Sequence, residues 1–339
     1  MASFDLDRFG RVRLLEGVTP IQRLERLERA LGGGPRIYVK RDDLNGLGGG
    51  GNKLRKLEFL LADALKQGCD TFITTGGRQS NHARLSAAAC ARLGLACELV
   101  LTDVVPRDDE TYRTNGNVLL DELFGARVHR LPGDGDALAF AEERAAALKS
   151  EGRNAYVVGA GGSSPLGCLG YAVCAAEIVA QEKELGERFS AIMMANGSSG
   201  THAGLAAGLA AMGEDAGRAL SFTVLAPLER CRAATTDLAR RALALLDGSA
   251  SLDAASIRIE GGQLGDGYGI PTPAMVEAVR LLARSEGLLV DPVYSGKALA
   301  GLIDAIRNGL FDGSEAVLFL MTGGTPGLFA YAPAFQARG

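Results

Sequence analysis

One lysine of this chain stands where its amine could take part in covalent chemistry. Lys53 follows the glycine run 48–51 and Asn52, and apolar residues recur behind it at helical spacing. This pattern predicts a helix that begins at Lys53, with Asn52 at its N-cap. The helix N-terminus and the neighbours Arg55 and Lys56 disfavour another positive charge, so the Lys53 amine should lose its proton and form a Schiff base more readily. The alternative is that Lys53 is one solvated member of a basic helix start.

A loop rich in glycine and hydroxyl side chains is the second candidate. It follows the predicted strand 191–195 and opens the predicted helix 201–212, and backbone N–H groups at such a helix start bind phosphate. The acidic residue expected downstream in a dinucleotide-binding fingerprint is missing, which argues against a nicotinamide-dependent oxidoreductase. A plain tight turn is the alternative interpretation, and the glycine segment 159–164 competes for the same role. The candidate phosphate ligands are Gly197, Ser198, Ser199, Gly200 and Thr201.

Polar candidates also occur in segment 76–82, between the predicted strand 71–75 and the predicted helix 83–93. Ser80 and Asn81 could face a ligand, or one of them could simply cap the helix. Arg78 is a fixed positive charge that could bind a substrate carboxylate or sulfonate, and a surface salt bridge is equally compatible with its position. No acidic residue stands at a telling spacing from His82, so we interpret it as a structural hydrogen-bonding residue.

Strands and helices alternate along the chain from residue 36 onward. This order predicts an α/β fold with parallel sheets and crossover helices. Ligands of such sheets bind beyond the carboxyl ends of the strands, so the loops 76–82, 196–204, 291–297 and 321–326 should meet at one site. The further predicted strands are 36–40, 96–102, 126–131, 155–158, 222–226 and 317–321, and the further predicted helices are 115–124, 134–150, 165–185, 229–246, 272–285 and 296–308.

The composition excludes several classes of protein. The 339 residues carry a net charge of −4, which offers no basic footprint for nucleic acid. The three histidines lie far apart without metal-ligand spacing, so no metal is expected. Acidic residues interrupt the first ten positions and no segment reaches the length of a membrane span, which indicates a cytoplasmic protein without a membrane partner. The six cysteines include no Cys-x-x-Cys pair and are expected to be reduced core residues.

Eight motifs follow one another along the chain. They are KRDD at 40–43, GGNKLRKLEF at 50–59, QSNH at 79–82, TNGN at 114–117, GSSGTHAG at 197–204, GYGIP at 267–271, DPVY at 291–294 and TGG at 322–324. Together they closely resemble the D-cysteine desulfhydrase and 1-aminocyclopropane-1-carboxylate deaminase family of pyridoxal-phosphate enzymes, which includes L-cysteate sulfo-lyases. The resemblance runs from about Arg8 to Phe335.

This resemblance implies a fold and an assembly. The fold would be α/β, of pyridoxal-phosphate fold type II (tryptophan-synthase-β-like), with two open twisted mainly parallel sheets flanked by helices. Residues 1–52 and 165–339 would form a large cofactor-binding domain, and residues 53–164 a small domain. The family also implies a homodimer that acts on a small amino acid.

The resemblance further implies a role for each candidate residue. Lys53 would hold pyridoxal 5'-phosphate through its amine, Asn81 would flank the cofactor ring and Ser80 would contact the substrate. The family places its reactive lysine at this position and not at Lys297, which is the competing lysine of the sequence. The implied catalytic residues are Lys53, Ser80, Tyr268 and Tyr294; the cofactor ligands are Asn52, Lys53, Lys56, Asn81, Gly197, Ser198, Ser199, Gly200, Thr201, Ser295 and Thr322; the substrate ligands are Arg78, Gln79, Ser80 and Asn81.

One departure from the family pattern bears on the reaction. Deaminases of the cyclopropane substrate carry a glutamate, facing the pyridine nitrogen, where this chain has Ser295. A hydroxyl leaves the cofactor ring a weaker electron sink, which favours loss of a good leaving group over ring opening. Arg78 and Met321 also depart from the desulfhydrase pattern and bear on the choice of substrate.

These residues predict a β-eliminating, deaminating carbon–sulfur lyase. D-cysteine, cleaved to pyruvate, sulfide and ammonia, is the first substrate expected. L-cysteate is the second, because Arg78 could pair with a sulfonate, and cyclopropane ring opening is the third. The alternative from another class is a binding protein that keeps the fold without turnover.

Overall fold

Ten strands and thirteen α-helices form the part of the chain that the computed structural model describes, residues 6–247 and 250–336. The outer ends of the predicted large domain, residues 1–5 and 337–339, lie outside the described residues. The strands are β1 (Ile21–Arg23), β2 (Arg36–Arg41), β3 (Thr71–Gly77), β4 (Ala96–Thr102), β5 (Arg127–Leu131), β6 (Ala155–Val158), β7 (Phe189–Asn196), β8 (Ala219–Thr223), β9 (Arg258–Glu260) and β10 (Ala316–Met321).

The strands form two separate sheets. The larger sheet has the order β1-β2-β10-β7-β8-β9, and the smaller has the order β5-β4-β3-β6. Only β1 runs antiparallel to its neighbour among these strands. Every residue of β10 is buried, as expected of an apolar run in a parallel sheet that is covered on both faces. The predicted α/β fold with two mainly parallel sheets is confirmed.

Helices flank the sheets and connect the parallel strands. They are α1 (Glu25–Ala30), α2 (Lys53–Lys66), α3 (Asn81–Leu93), α4 (Glu110–Thr114), α5 (Asn117–Leu123), α6 (Ala137–Ser150), α7 (Pro165–Leu185), α8 (Gly200–Ala211), α9 (Leu228–Leu246), α10 (Pro273–Glu286), α11 (Ser295–Arg307), α12 (Pro326–Ala330) and α13 (Ala332–Phe335). The four strands of the smaller sheet all lie between residues 71 and 158. The division into domains at residues 52 and 164 stays a prediction.

The helix predicted over 115–124 is confirmed as α5, which begins two residues later, at Asn117. The short helix α4 before it was not predicted, and Asn115 and Gly116 separate the two helices. Gly116 has φ +65°, a left-handed conformation that glycine adopts readily and that interrupts a right-handed helix. The short strands β1 and β9 were not predicted, because three residues give too little periodicity to read from the sequence.

Two helices behind the larger sheet approach each other closely. A Cβ on Gly204 of α8 would overlap the Cys168 carbonyl of α7, and one on Gly208 would lie 2.7 Å from Ala172 Cα. Glycine at both positions therefore allows the two backbones to come into contact. Cys168 and the other five cysteines are buried and free, which agrees with their prediction as reduced core residues.

A buried ionic cluster fixes the helix that begins at Lys53. We call it the anchor network: Lys40, Asp42, Arg55, Tyr171 and Glu177. Arg55 of α2 donates to both Asp42 carboxylate oxygens at 2.8 Å and to Glu177 at 2.9 Å. Tyr171 donates to Asp42 at 2.6 Å, and Lys40 donates to Glu177 at 2.9 Å. Burial alone would raise the pKa of Asp42, but Arg55, Lys40 and Tyr171 together outweigh it and the pKa is lowered. The network joins β2, α2 and α7.

Candidate active site

A cavity of about 280 Å³ opens where the carboxyl ends of β3, β4 and β7 and the segment after β10 meet. Most of the candidate residues line it, although they come from loops far apart in the sequence. Those in the cavity wall are Asn52, Lys53, Ser80, Asn81, Gly197, Ser198, Ser199, Thr201, Tyr268, Tyr294 and Thr322. Those outside the cavity wall are Lys56, Arg78, Gln79, Gly200 and Ser295.

Lys53 is the first residue of α2 and presents its amine to the cavity. Its Nζ donates to Asn52 Oδ1 at 3.2 Å, and no carboxylate of the described residues pairs with it. Burial, and then the ammonium group of Lys56, lower the pKa of Lys53 well below its ordinary value. A lowered pKa increases the fraction of neutral amine, which is both a nucleophile and a base.

Asn52 differs from its predicted use. It occupies the N-cap position of α2, but its side chain makes no capping hydrogen bond. Its amide nitrogen instead donates to Thr201 Oγ1 at 3.0 Å, and its backbone N–H donates to the Thr322 carbonyl at 3.0 Å. Asn52 therefore links the start of α2 to the start of α8.

The glycine run before Lys53 is shaped by close backbone contacts. Gly50 has φ +74°, and a Cβ there would overlap the Asp43 carbonyl oxygen. Gly51 forms an isolated antiparallel bridge with Gly323, which follows β10. This bridge ties the segment that delivers Lys53 to the carboxyl end of the larger sheet.

The predicted phosphate loop turns from β7 into α8 at the cavity wall. Ser199 has φ +67°, the only left-handed φ of a residue other than glycine in the described part of the chain. Ser198 Oγ accepts a hydrogen bond from Ser163 Oγ at 2.8 Å, so segment 159–164 packs against the loop. Backbone N–H groups at the start of α8 and the loop hydroxyls have the donor chemistry that an anion-binding cradle requires, and we call this loop the cradle.

Lys56 braces this cradle from beneath. Its fully buried amine donates to the Gly161 carbonyl and to Ser163 Oγ, both at 3.1 Å. A Cβ on Gly200 would lie 2.6 Å from Lys56 Nζ, which shows how closely the amine approaches the helix start. Burial lowers the pKa of Lys56 to about 8. A dianionic phosphate in the cradle would favour the ammonium form.

We expect Lys56→Met to weaken binding of pyridoxal phosphate by about 10- to 100-fold, because a charge-assisted contact contributes about 1.5–3 kcal/mol. Methionine keeps the length of the side chain and removes its charge. Binding of pyridoxal, which has no phosphate, should change little. Titration of cofactor-free protein with both compounds measures the difference. Lys66→Met, an exposed change on the same helix, is the control, and an equal loss for both compounds would contradict the cradle.

Ser80 and Asn81 reach the cavity from the start of α3. Ser80 Oγ accepts from the Ala83 N–H at 3.1 Å, so Ser80 caps the helix and lines the cavity at once. Asn81 Oδ1 accepts from Asn117 Nδ2 at 2.9 Å, which leaves the amide nitrogen of Asn81 available at the wall. The interpretation of Ser80 as a helix cap is therefore confirmed, and its contact with a ligand stays a prediction.

His82 makes the structural hydrogen bond that the sequence predicted, and it also lies in the cavity wall. Its Nε2 lies 2.8 Å from Thr74 Oγ1, whose one proton goes to the Val158 carbonyl. Thr74 therefore accepts, Nε2 carries the ring proton, and Nδ1 is a bare acceptor without a partner. Burial, and then the ammonium groups of Lys53 and Lys56, lower the pKa of His82 well below its ordinary value.

Two tyrosines form the opposite wall. The hydroxyls of Tyr268 and Tyr294 are 2.6 Å apart, and burial raises the pKa of each. Both therefore act as hydrogen-bonding groups and not as bases near pH 7. Next to Tyr294, the Ser295 hydroxyl lies 2.8 Å from Thr322 Oγ1, and Asp291 accepts the Ser295 N–H at 2.8 Å.

Arg78 and Gln79 do not reach the cavity. Arg78 donates to both oxygens of Asp103 at 2.7 and 2.6 Å, which is the salt-bridge alternative of the sequence. Gln79 donates to the carbonyls of Tyr112 and Asn115, and it thereby fixes the break between α4 and α5. Neither side chain supports the predicted contact with substrate, because both lie outside the cavity wall. Gln79 is hydrogen-bonded through both amide atoms, whereas Arg78 pairs through Nε and Nη2 and its buried Nη1 has no partner in the described part of the chain.

Several wall residues were missed because they are small or apolar. Val104 and Gly133 follow the strands β4 and β5, and Leu225 follows β8. Their types suggest no chemistry, but their place after a strand end could have identified them. They give the mouth of the cavity an apolar lining.

The groups on the cavity wall fit a ligand that carries a phosphate and a carbonyl. The cradle supplies hydroxyls and backbone donors above a buried ammonium group. The amine of Lys53 lies in the same cavity, and its lowered pKa favours reaction with a carbonyl carbon. Pyridoxal phosphate has both groups, and Asn81 and several glycines also line the cavity.

Comparison with known proteins identifies the family to which the chain is similar. The family model for "Pyridoxal-phosphate dependent enzyme" matches residues 12–323. A D-cysteine desulfhydrase of Serratia proteamaculans is 43% identical over 97% of this chain and 98% of its own length. A D-cysteine desulfhydrase of Salmonella typhi is 44% identical with the same coverage. A crystal structure described as an ACC deaminase homologue superposes with a TM-score of 0.87, at 38% identity, over 97% of this chain and 96% of that one.

In the described residues, we find no helix with both the length and the apolar character that crossing a membrane requires.

Proposed function

Because this chain belongs to the family of pyridoxal-phosphate dependent enzymes, we propose that it cleaves D-cysteine, with water, into pyruvate, hydrogen sulfide and ammonia. It is a lyase that uses pyridoxal phosphate. One observation carries the proposal: a partly buried lysine amine of lowered pKa and a loop rich in phosphate-binding groups face the same cavity of about 280 Å³. Two relatives that match over nearly their whole length are named for the D-cysteine reaction.

The cofactor would be held by residues of four segments. The cradle 197–201, supported by Lys56, would bind its phosphate, and Lys53 would bind its aldehyde carbon. Ser295 and Thr322 would lie toward the ring nitrogen, and Asn81 beside the ring. When bound, pyridoxal phosphate supplies an electron sink that stabilises negative charge on the substrate Cα.

Lys53 is the proposed base. Its amine would be released when the amino group of the substrate takes its place, and burial, which lowers the pKa of Lys53, favours the form without a proton. It can then accept the Cα proton and hold it at Nζ. No carboxylate of the described residues pairs with Nζ, so nothing there competes for this proton.

The tyrosine pair is proposed to assist the leaving group. Tyr268 and Tyr294 share one short hydrogen bond, so one hydroxyl proton remains to be donated outward. Sulfide leaves the substrate Cβ with a developing negative charge, and a donated hydrogen bond stabilises it. Ser80, at the other side of the cavity, is proposed to bind the substrate carboxylate.

The choice of D-cysteine over the alternatives rests on two residues. Ser295 forms a hydroxyl pair with Thr322 and brings no negative charge toward the ring nitrogen, which favours elimination over ring opening. The ion pair of Arg78 with Asp103 removes the residue on which the L-cysteate alternative depended. An apolar mouth also suits a thiol better than a sulfonate.

We expect Ser295→Glu to raise the ratio of cyclopropane ring opening to D-cysteine elimination by about tenfold, equivalent to about 1.4 kcal/mol of differential transition-state stabilisation. A glutamate near the ring nitrogen strengthens the electron sink. Steady-state rates on both substrates give the ratio. Ser295→Thr, which keeps a hydroxyl, is the control, and an unchanged ratio in Ser295→Glu would remove this residue as a basis for substrate choice.

The function itself is tested by substrate comparison. The purified enzyme, loaded with pyridoxal phosphate, is given D-cysteine, L-cysteine, L-cysteate and 1-aminocyclopropane-1-carboxylate while keto acid and sulfide are measured. We expect equal amounts of pyruvate and sulfide from D-cysteine at a kcat/KM well above the others. Faster keto acid release from L-cysteate or from the cyclopropane substrate would replace D-cysteine by that compound.

The proposal extends to assembly and location. We propose a homodimer in the cytoplasm, with residues 53–164 acting as a small domain over the cavity. Light scattering of the purified holoenzyme should give twice the mass of one chain. A monomer at micromolar concentration would reject the dimer without affecting the assignment of the site.

A further inference from the structure

An irregular loop carries Tyr268 into the cavity. We call residues 261–272, which join β9 to α10, the tyrosine loop; it includes no helix or strand. Gly267 and Gly269 flank Tyr268 and have φ +148° and +71°, which favour glycine. A segment without a regular hydrogen-bond ladder depends on other parts of the molecule for its shape.

A buried lysine supplies part of that support. Lys297 lies in the first turn of α11 and is fully buried. Its Nζ donates to the Leu264 carbonyl at 2.7 Å and to the Gly267 carbonyl at 3.0 Å. No carboxylate within the described ranges forms a salt bridge with it. Both hydrogen bonds go to the tyrosine loop, and one goes to the residue directly before Tyr268.

Two further contacts hold the other side of the loop. The Tyr331 hydroxyl donates to the Gly269 carbonyl at 2.9 Å, and Tyr268 and Tyr294 join through their hydroxyls. The carbonyls before and after Tyr268 are thus each held by a buried side chain. Lys297 lies one helical turn after Tyr294. The start of α11 therefore holds the backbone of the tyrosine loop through Lys297 and the Tyr268 hydroxyl through Tyr294.

The tyrosine loop contacts residues at the carboxyl edge of the smaller sheet. A Cβ on Gly77, at the end of β3, would lie 3.6 Å from Tyr268 Cε1, and one on Gly269 would lie 2.6 Å from Val105. The position of the loop therefore sets the distance between the Tyr268 ring and Gly77. A displacement of about 1 Å at such a position is enough to weaken substrate binding and turnover substantially.

We propose that Lys297 is a positioning residue that anchors the tyrosine loop at Leu264 and Gly267 and thereby holds the Tyr268 hydroxyl where the amino-acid substrate binds. The inference rests on the proposed function, because it concerns the substrate of the same cavity. Lys297 holds the loop through two hydrogen bonds, which do not require its amine to be charged. Burial lowers the pKa of Lys297 to about 8, and a neutral amine still has two N–H groups for two carbonyls.

The first test measures the loop without turnover. In Lys297→Met both carbonyls lose the lysine donor while the apolar volume stays, and the Gly267 carbonyl keeps only the Ile270 N–H at 3.3 Å. Amide hydrogen exchange in residues 264–270 of the cofactor-loaded protein should therefore rise at least tenfold. Exchange in α10 should be unchanged. Lys183→Met, an exposed lysine on α7, should leave both regions as in the wild type. Unchanged exchange in the loop of Lys297→Met would overturn the proposal.

The second test asks whether Lys297 acts through Tyr268. We expect Lys297→Met to lower kcat/KM for D-cysteine by about tenfold in the wild-type background, and by less than twofold in Tyr268→Phe. Effects that multiply in the double variant would overturn the positioning role, because independent residues contribute additively to the free energy. A wild-type enzyme that turns over none of the amino acids would reject the proposed function, whereas the exchange result would still decide whether Lys297 holds the loop.

Discussion

Replacement of Lys53 by alanine should lower turnover by about 10⁴-fold, because the variant loses both the residue that binds the cofactor covalently and the proposed base. The visible absorption band of the lysine-bound cofactor should vanish. The phosphate cradle does not involve the Lys53 side chain, so the variant should still bind pyridoxal phosphate without that band. Spectra and pyruvate release, before and after addition of the cofactor, measure both effects.

The control for this prediction lies on the same helix. Lys66→Ala removes an exposed lysine from the last turn of α2 and should leave the band and the rate unchanged. Small primary amines added to Lys53→Ala should restore part of the rate if the missing group is a base. A wild-type band in Lys53→Ala would assign the reactive amine to another lysine.

Asp42→Asn should lower the free energy of unfolding by about 3–5 kcal/mol, the usual cost of removing one partner from a buried ion pair. The change leaves the Arg55 guanidinium without the carboxylate that accepts two of its hydrogen bonds. The amide offers one acceptor oxygen where Asp42 offers two, so it cannot accept from Arg55 Nε, Arg55 Nη2 and Tyr171 as the carboxylate does. Urea denaturation of the cofactor-free protein at pH 7 measures the loss without a contribution from bound ligand.

The difference in the free energy of unfolding between wild type and Asp42→Asn should disappear in acid. The pKa of Asp42 is lowered in the folded protein, so its carboxylate contributes stability above the pKa of the unfolded chain, and this stability is lost as the pH falls through the folded-state pKa. Wild type and Asp42→Asn should therefore converge toward low pH. Asp43→Asn, the same change one residue along in a partly exposed pair with Arg41, should cost about 1 kcal/mol or less. An equal cost at both positions would show that the anchor network has no special weight.

The sequence predicted most of the site because the chemistry lies in local patterns. Lys53 after a glycine run, and the hydroxyls of 198–201 before a helix, are each defined within a few neighbouring residues. The strand 96–102 and the helix 165–185 were predicted with their observed bounds, because periodicity and a Ser-Pro helix start are also local signals.

What the sequence could not supply depends on partners distant along the chain. The role of Arg78 is decided by Asp103, 25 residues away, and that of Asn52 by Thr201, 149 residues away. Lys297 looked like a second reactive amine until its two carbonyl partners were known. The sequence could not show that Nδ1 of His82 lacks a proton, because this follows from a hydrogen bond that Thr74 makes to a third residue, Val158.

The left-handed backbone of Ser199 bears on how fast the cofactor can bind. A residue other than glycine in this conformation costs on the order of 1 kcal/mol, and the fold holds Ser199 in it. We expect the fold alone to maintain this curved shape, so that the rate of cofactor capture rises in proportion to cofactor concentration. A plateau in that rate would show that the loop rearranges on binding.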